Sequence, residues 1–201
     1  MENQSNQESL ELRREEIKLI ISKFLEHKLT QAVQLKKEAM VRGEDIDVVQ
    51  CLQDVWPEND GVPWQRKPRF TIPGLEEEII FRFENLTNEY DATNKVLTLG
   101  VGDLREAGSP EELDNKLCKV LEAAYHEPEH IYNPGSDMEP KDAQETIEYL
   151  GNPGEIQAHA RQFAYRYMRE FPGMPFTIEK MAALAQRIKD TGEGSKHYNY
   201  F

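Results

Sequence analysis

Tyr125-His126-Glu127-Pro128-Glu129-His130 decides how this chain is read. It holds the pattern H-E-x-x-H. On a helix, histidines at i and i+4 point the same way and can grip one metal ion, and the glutamate after the first can serve as general base for a water on that ion. The third position of the pattern is a proline. Inside a helix a proline removes one hydrogen bond and clashes with the carbonyl four residues back, at a cost of roughly 3 kcal/mol. Pro128 therefore argues against an undisturbed helix and against the angle that two imidazoles need to share a metal. Glu129 stands where an apolar residue normally packs such a helix down, so it is expected to face solvent or form an ion pair. Without a metal, the two histidines read as surface residues at a helix C-terminus, where cations suit the macrodipole.

The residues leading into this stretch support a helix. Ser109-Pro110-Glu111-Glu112 has a capping serine, a proline at the first helical position and a glutamate at the third. Leu113, Leu117, Val120, Leu121 and Ala124 follow at helical spacing. Glu111, Glu112 and Glu122 read as its solvated face. Upstream, 78–84 and 95–101 carry strand patterning, with turn residues Asn88 to Asn94 between them. These suggest an antiparallel pair or a small sheet, with a further short strand near Arg69–Ile72. From about Ser9 to Arg42 the chain reads as one long helix, with an apolar stripe of Leu12, Ile17, Ile20, Ile21, Phe24 and Leu25, and with Gly43 as its stop. A short helix from about Ile46 to Val55 ends before Trp56-Pro57.

Downstream of the motif, Asn133 to Asp137 reads as a loop and Pro140 to Tyr149 as a short helix. Asn152 then caps a helix running from Pro153 to about Arg169, and a last helix covers about Ile178 to Lys189. Glu155 lies in the first turn of the Pro153 helix, where the dipole keeps a carboxylate ionised. That suits a third metal ligand; it equally suits a capping glutamate. His159, four residues on and on the same face, could be a fourth ligand, a group that orients a ligand from behind, or a stabiliser of a developing oxyanion. Phe163, Tyr167 and Phe171 read as a packing face, and Tyr125 and Tyr149 as core or rim aromatics.

The strand, the helix running into H-E-x-x-H, and Tyr149-Leu150-Gly151-Asn152-Pro153-Gly154-Glu155-Ile156-Gln157-Ala158-His159-Ala160 together resemble small zincin-like metallopeptidases of the gluzincin type, including phage-encoded ones. The resemblance covers about 78–169 and leaves out the N-terminal helix. It implies zinc held by His126, His130 and Glu155, with Glu127 as the base; His159 stands beside them as a further catalytic candidate by its position on the helix alone. It also implies a peptide or protein substrate, and a host cytoplasm or a virion as the location.

Composition bounds the alternatives. With 201 residues, 38% hydrophobic and 30% charged, the chain can bury a real core. No stretch approaches the ~20 apolar residues of a membrane span, and the polar, acidic first residues are not a secretory signal. A net charge of −13 argues against nucleic acid as a partner. Trp64 to Arg69 gathers three cations but reads as a connector. Cys51 and Cys118 fall at apolar helical positions and read as two unpaired thiols. The expected fold is α+β: a small antiparallel or mixed sheet packed by a mainly helical C-terminal half. Residues 1–56 form a helical arm able to mediate oligomerisation, and residues 57–201 form the zincin-like domain. A reading of a different class keeps the scaffold and discards the chemistry: a structural or interaction protein, of a virion or a regulatory system, with a damaged or absent metal site.

Overall fold

The computed structural model describes residues 2–56, 71–72, 79–132 and 151–191. The expected helix at 140–149, the loop at 133–137, the cationic stretch 64–69 and most of the strand near Arg69–Ile72 lie outside these residues; Thr71 and Ile72 themselves are not strand. Helix α1 spans Glu2–Val41 and α2 Val48–Val55. Strands β1 (Ile80–Glu84), β2 (Glu89–Asp91) and β3 (Val96–Gly100) follow. Then come the short α3 (Gly102–Arg105), α4 (Pro110–His126), a 3-10 turn (Glu127–Ile131), α5 (Pro153–Glu170) and α6 (Ile178–Thr191).

The fold class is α+β, and of the two sheets foreseen the mixed one is found. The order is β1-β3-β2. β1 runs parallel to β3, pairing Phe81 with Leu97 and Phe83 with Leu99, which corrects the expected antiparallel pair. The antiparallel partner of β3 is β2, which lies inside the stretch read as turn and pairs Tyr90 with Leu97. The reason is the crossing that follows β1. Residues after Glu84 pass over the end of β3, with Val101 N donating to Glu84 O (2.7 Å) and Gly102 N to Asn85 O (2.9 Å). A Cβ on Gly102 would stand 2.4 Å from Asn85 O, so only glycine admits the crossing. The chain then returns through a tight turn. Asp91 Oδ1 accepts from Thr93 N and Asn94 N, and Lys95 takes a φ of 51°.

Helix α1 does not stand apart from this sheet. Ile21, Leu25 and Leu29 are fully buried and share one core with Trp56, Phe81, Leu97, Leu99, Leu113 and Leu121. Each such aliphatic side chain contributes roughly 1.5–3 kcal/mol by leaving water. Residues expected in separate segments, 1–56 and 57–201, thus pack a common interior. Polar ties reinforce it: Lys28 Nζ donates to Val55 O (2.6 Å) and Tyr125 OH to Glu26 Oε2 (2.7 Å). The apolar stripe foreseen on α1 divides. Leu12, in the exposed stretch 7–16 of α1, is 72% exposed, and Ile20, beside the fully buried Ile21, is 46% exposed. Gly43 ends the helix with a φ of 75°, as its sequence position suggested.

The capping start of α4 forms as read. Ser109 Oγ accepts from Glu112 N (3.1 Å), and Glu112 Oε2 accepts from Gly108 N (2.8 Å). Phe163 and Phe171 pack with Tyr167, Leu184 and Ile188 in a second small core between α5 and α6. Among the described residues both cysteines are free, and no helix is long and apolar enough to cross a membrane.

Candidate metal centre

Helix α4 delivers His126 as its final residue, and the 3-10 turn begins at Glu127. Pro128 sits in the first turn of that 3-10 segment, where an unpaired backbone nitrogen costs little. The proline therefore ends the α-helix at the motif without kinking one. His126 and His130 still converge: their Nε2 atoms are 3.2 Å apart, with the rings edge to face at 5.1 Å. Both are buried, so the reading as surface histidines does not hold.

Helix α5 brings the carboxylate. Asn152 Oδ1 accepts from Gly154 N (2.8 Å), which starts the helix and places Glu155 in its first turn. Ala124 and Ala158, both fully buried, leave room for α4 and α5 to approach, and Tyr125 stacks on Tyr165 at 4.3 Å. Glu155 is 0% exposed. Its Oε1 lies 3.4 Å from His130 Nε2 and its Oε2 lies 3.6 Å from His126 Nε2. Four donors arranged tetrahedrally about zinc at about 2.0–2.1 Å stand about 3.3 Å from one another. The two imidazole nitrogens, 3.2 Å apart, stand close to that spacing, and each faces a different oxygen of Glu155, at 3.4 and 3.6 Å. His159 joins from one turn along α5, its Nε2 3.9 Å from Glu155 Oε2 and its ring 4.7 Å from that of His126. Donor atoms of His126, Glu155 and His159 lie within 4.8 Å of one another.

The charges are coupled. Burial pushes the Glu127 carboxyl up to about 7; the His126 charge opposes this, while Glu155 and Glu89 add to it. Glu89 belongs to β2, which packs against the 3-10 turn. For His126, burial works against protonation, but Glu155 and Glu127 outweigh it and hold its pKa above the ordinary value, with help from Gln162.

Of the two readings of Glu129, solvent or an ion pair, the ion pair is found, and Glu122 departs from its reading as a solvated face. Glu129 is buried, with solvent excluded by an ion pair to the equally buried Lys18 of α1 (2.8 Å) and a second to Arg161 of α5. Both cations also meet Glu15. Glu122, read as part of a solvated face, is 8% exposed and turns toward α5, where Gln162, Arg166 and Arg169 lie. Sequence reasoning missed Lys18, Gln162 and Arg161 as neighbours of the motif. The one available signal was the two i, i+3/i+4 rows they occupy beside apolar faces. Tyr149 lies outside the described residues. No protein-family model, no curated protein and no solved structure matches this chain.

Proposed function

We propose that this protein is a zinc-dependent metallopeptidase, with His126, His130 and Glu155 as ligands and Glu127 as general base. One observation carries the reading. Two imidazole nitrogens and a fully buried carboxylate converge at 3.2–3.6 Å, with a second buried carboxylate, Glu127, coupled to them electrostatically. A buried cluster of this kind is costly unless a cation compensates it.

When bound, the ion supplies Lewis-acid polarisation of a carbonyl and of a water molecule. Glu127 takes a proton from the attacking water as the water oxygen bonds to the carbonyl carbon. It then gives that proton to the amine nitrogen as the C–N bond breaks. In the metal-free chain burial raises this carboxyl to about 7, and the exchange needs a group that can both take and return a proton. Strand β2 favours a peptide as substrate. It lies at one end of the strand order, pairs with β3 on one side, and packs beside the motif. An extended peptide could add to such an edge by backbone hydrogen bonds.

The test is cleavage of a mixed-sequence peptide pool, read by mass spectrometry. Zinc-loaded protein is expected to cleave, to stop with a chelator, and to resume when zinc is restored. Zinc-loaded protein that binds the metal and leaves every peptide intact would instead mark the non-catalytic scaffold.

A further inference from the structure

A relay of three side chains ends at the histidine cluster. Gln162 Nε2 donates to Glu122 Oε2 at 3.3 Å. A carboxylate only accepts, so the amide nitrogen of Gln162 is fixed on the Glu122 side and its carbonyl oxygen is turned the other way. Arg166 and Arg169 face the other oxygen of Glu122, at 3.7 and 3.9 Å, and match its negative charge. The Gln162 oxygen lies 3.3 Å from His159 Nδ1. An amide oxygen also only accepts, so the proton of a neutral His159 sits on Nδ1 and the lone pair on Nε2. Nε2 faces Glu155 Oε2 at 3.9 Å. On that tautomer the Nε2 lone pair is offered to the space that the Glu155 carboxylate faces.

We propose that His159, through Nε2, is a fourth donor to the ion held by His126, His130 and Glu155, and that Gln162 is the positioning residue that fixes it in that role. This rests on the metal-site reading above. Ring nitrogens that ligate a metal are commonly oriented by a hydrogen bond to the other nitrogen, and Gln162 supplies that bond here. Three imidazoles and one carboxylate favour a divalent transition ion of intermediate softness. The 3.9 Å separation is longer than those among the other three residues. A water or a substrate carbonyl would have to displace one of these donors for the chemistry proposed above.

Cobalt(II) is the probe, because its visible absorption reports the number and geometry of donors. Wild type, His159→Ala, His159→Gln and Gln162→Leu are titrated with cobalt, and zinc affinity is read by competition with a chelator. Circular dichroism selects the variants that keep the fold. Both His159 variants are expected to change the cobalt spectrum. Gln162→Leu is expected to weaken zinc by about 10–100-fold, as loss of a supporting partner does. Cobalt bound by the His159 variants with unchanged spectrum and affinity would overturn the fourth donor and leave the three-residue site standing. Failure of the wild type to bind cobalt would overturn both.

Discussion

Glu127→Gln is expected to lower the rate of peptide hydrolysis by about 10²–10⁴-fold while zinc binding persists. The amide keeps the shape of the side chain and loses the ability to take a proton. In the zinc-loaded wild type, kcat/KM should rise with pH as Glu127 ionises and then level, since Glu127 acts as a base only when ionised; the bound cation draws that rise below the metal-free value of about 7. A variant that keeps both its rate and its pH profile would remove Glu127 from the mechanism. The metal-free protein offers an independent expectation. The folded pKa of Glu127, about 7, lies above its ordinary value of 4.5. Native protein therefore holds this proton more tightly than unfolded protein does. Its contribution to stability is greatest below pH 4.5, declines as pH rises toward 7, and is constant above that. Glu127→Gln removes the decline. At pH 8 the metal-free variant should be more stable than wild type, by on the order of 3 kcal/mol, measured by urea denaturation. Equal stability at pH 8 and pH 5 in both proteins would mean that Glu127 is not desolvated.

Lys18→Met is expected to cost roughly 3–5 kcal/mol of stability, the usual consequence of removing one member of a buried ion pair. The Lys18 and Glu129 side chains are 3% and 2% exposed and meet at 2.8 Å. Removing the ammonium leaves the Glu129 carboxylate with Arg161, which is itself shared with Glu15. Adding Glu129→Leu to Lys18→Met should recover most of the loss, because an apolar pair of similar volume avoids the desolvation of charge. The pair also matters beyond stability. Glu129 lies between Glu127 and His130 in the turn that aims the imidazoles, so α1 holds the motif from outside the sheet. Lys18→Met should therefore weaken zinc binding along with folding. A stability loss below about 1 kcal/mol would place the pair in solvent-like surroundings, where ion pairs contribute little.

Local chemistry carried much of this structure into the sequence. The Ser109 cap, the Asn152 cap and the Gly43 stop formed where their residues indicated, and so did strands β1 and β3, although β3 is buried on both faces rather than alternately. Strand direction was not legible. It depends on a crossing that requires the absence of a Cβ at Gly102, and a lone glycine announces no topology. Strand β2 is three residues long and lies among turn formers, so its pairing with β3 is a tertiary fact. The spacing of His126, His130 and Glu155 was readable, because helical periodicity and a helix start set it. The interruption that Pro128 announced is the one found. A proline penalty applies inside a continuous helix, and here the helix stops at His126 and a 3-10 turn carries His130 onward. The burial of Glu129 could not be foreseen, since its partner Lys18 lies 111 positions away. The Glu122–Gln162–His159 relay likewise exists only once α4 and α5 are packed.

The account stands on a metal ion shared by His126, His130 and Glu155. Its most direct test is elemental analysis of the full chain, purified without added zinc and without chelator, alongside His126→Ala. The account predicts about one zinc per chain in the wild type and almost none in the variant, with a fall in thermal stability when the wild type is treated with chelator. Wild-type protein that carries no metal, takes up none when zinc is supplied, and melts at the same temperature with or without chelator would contradict it.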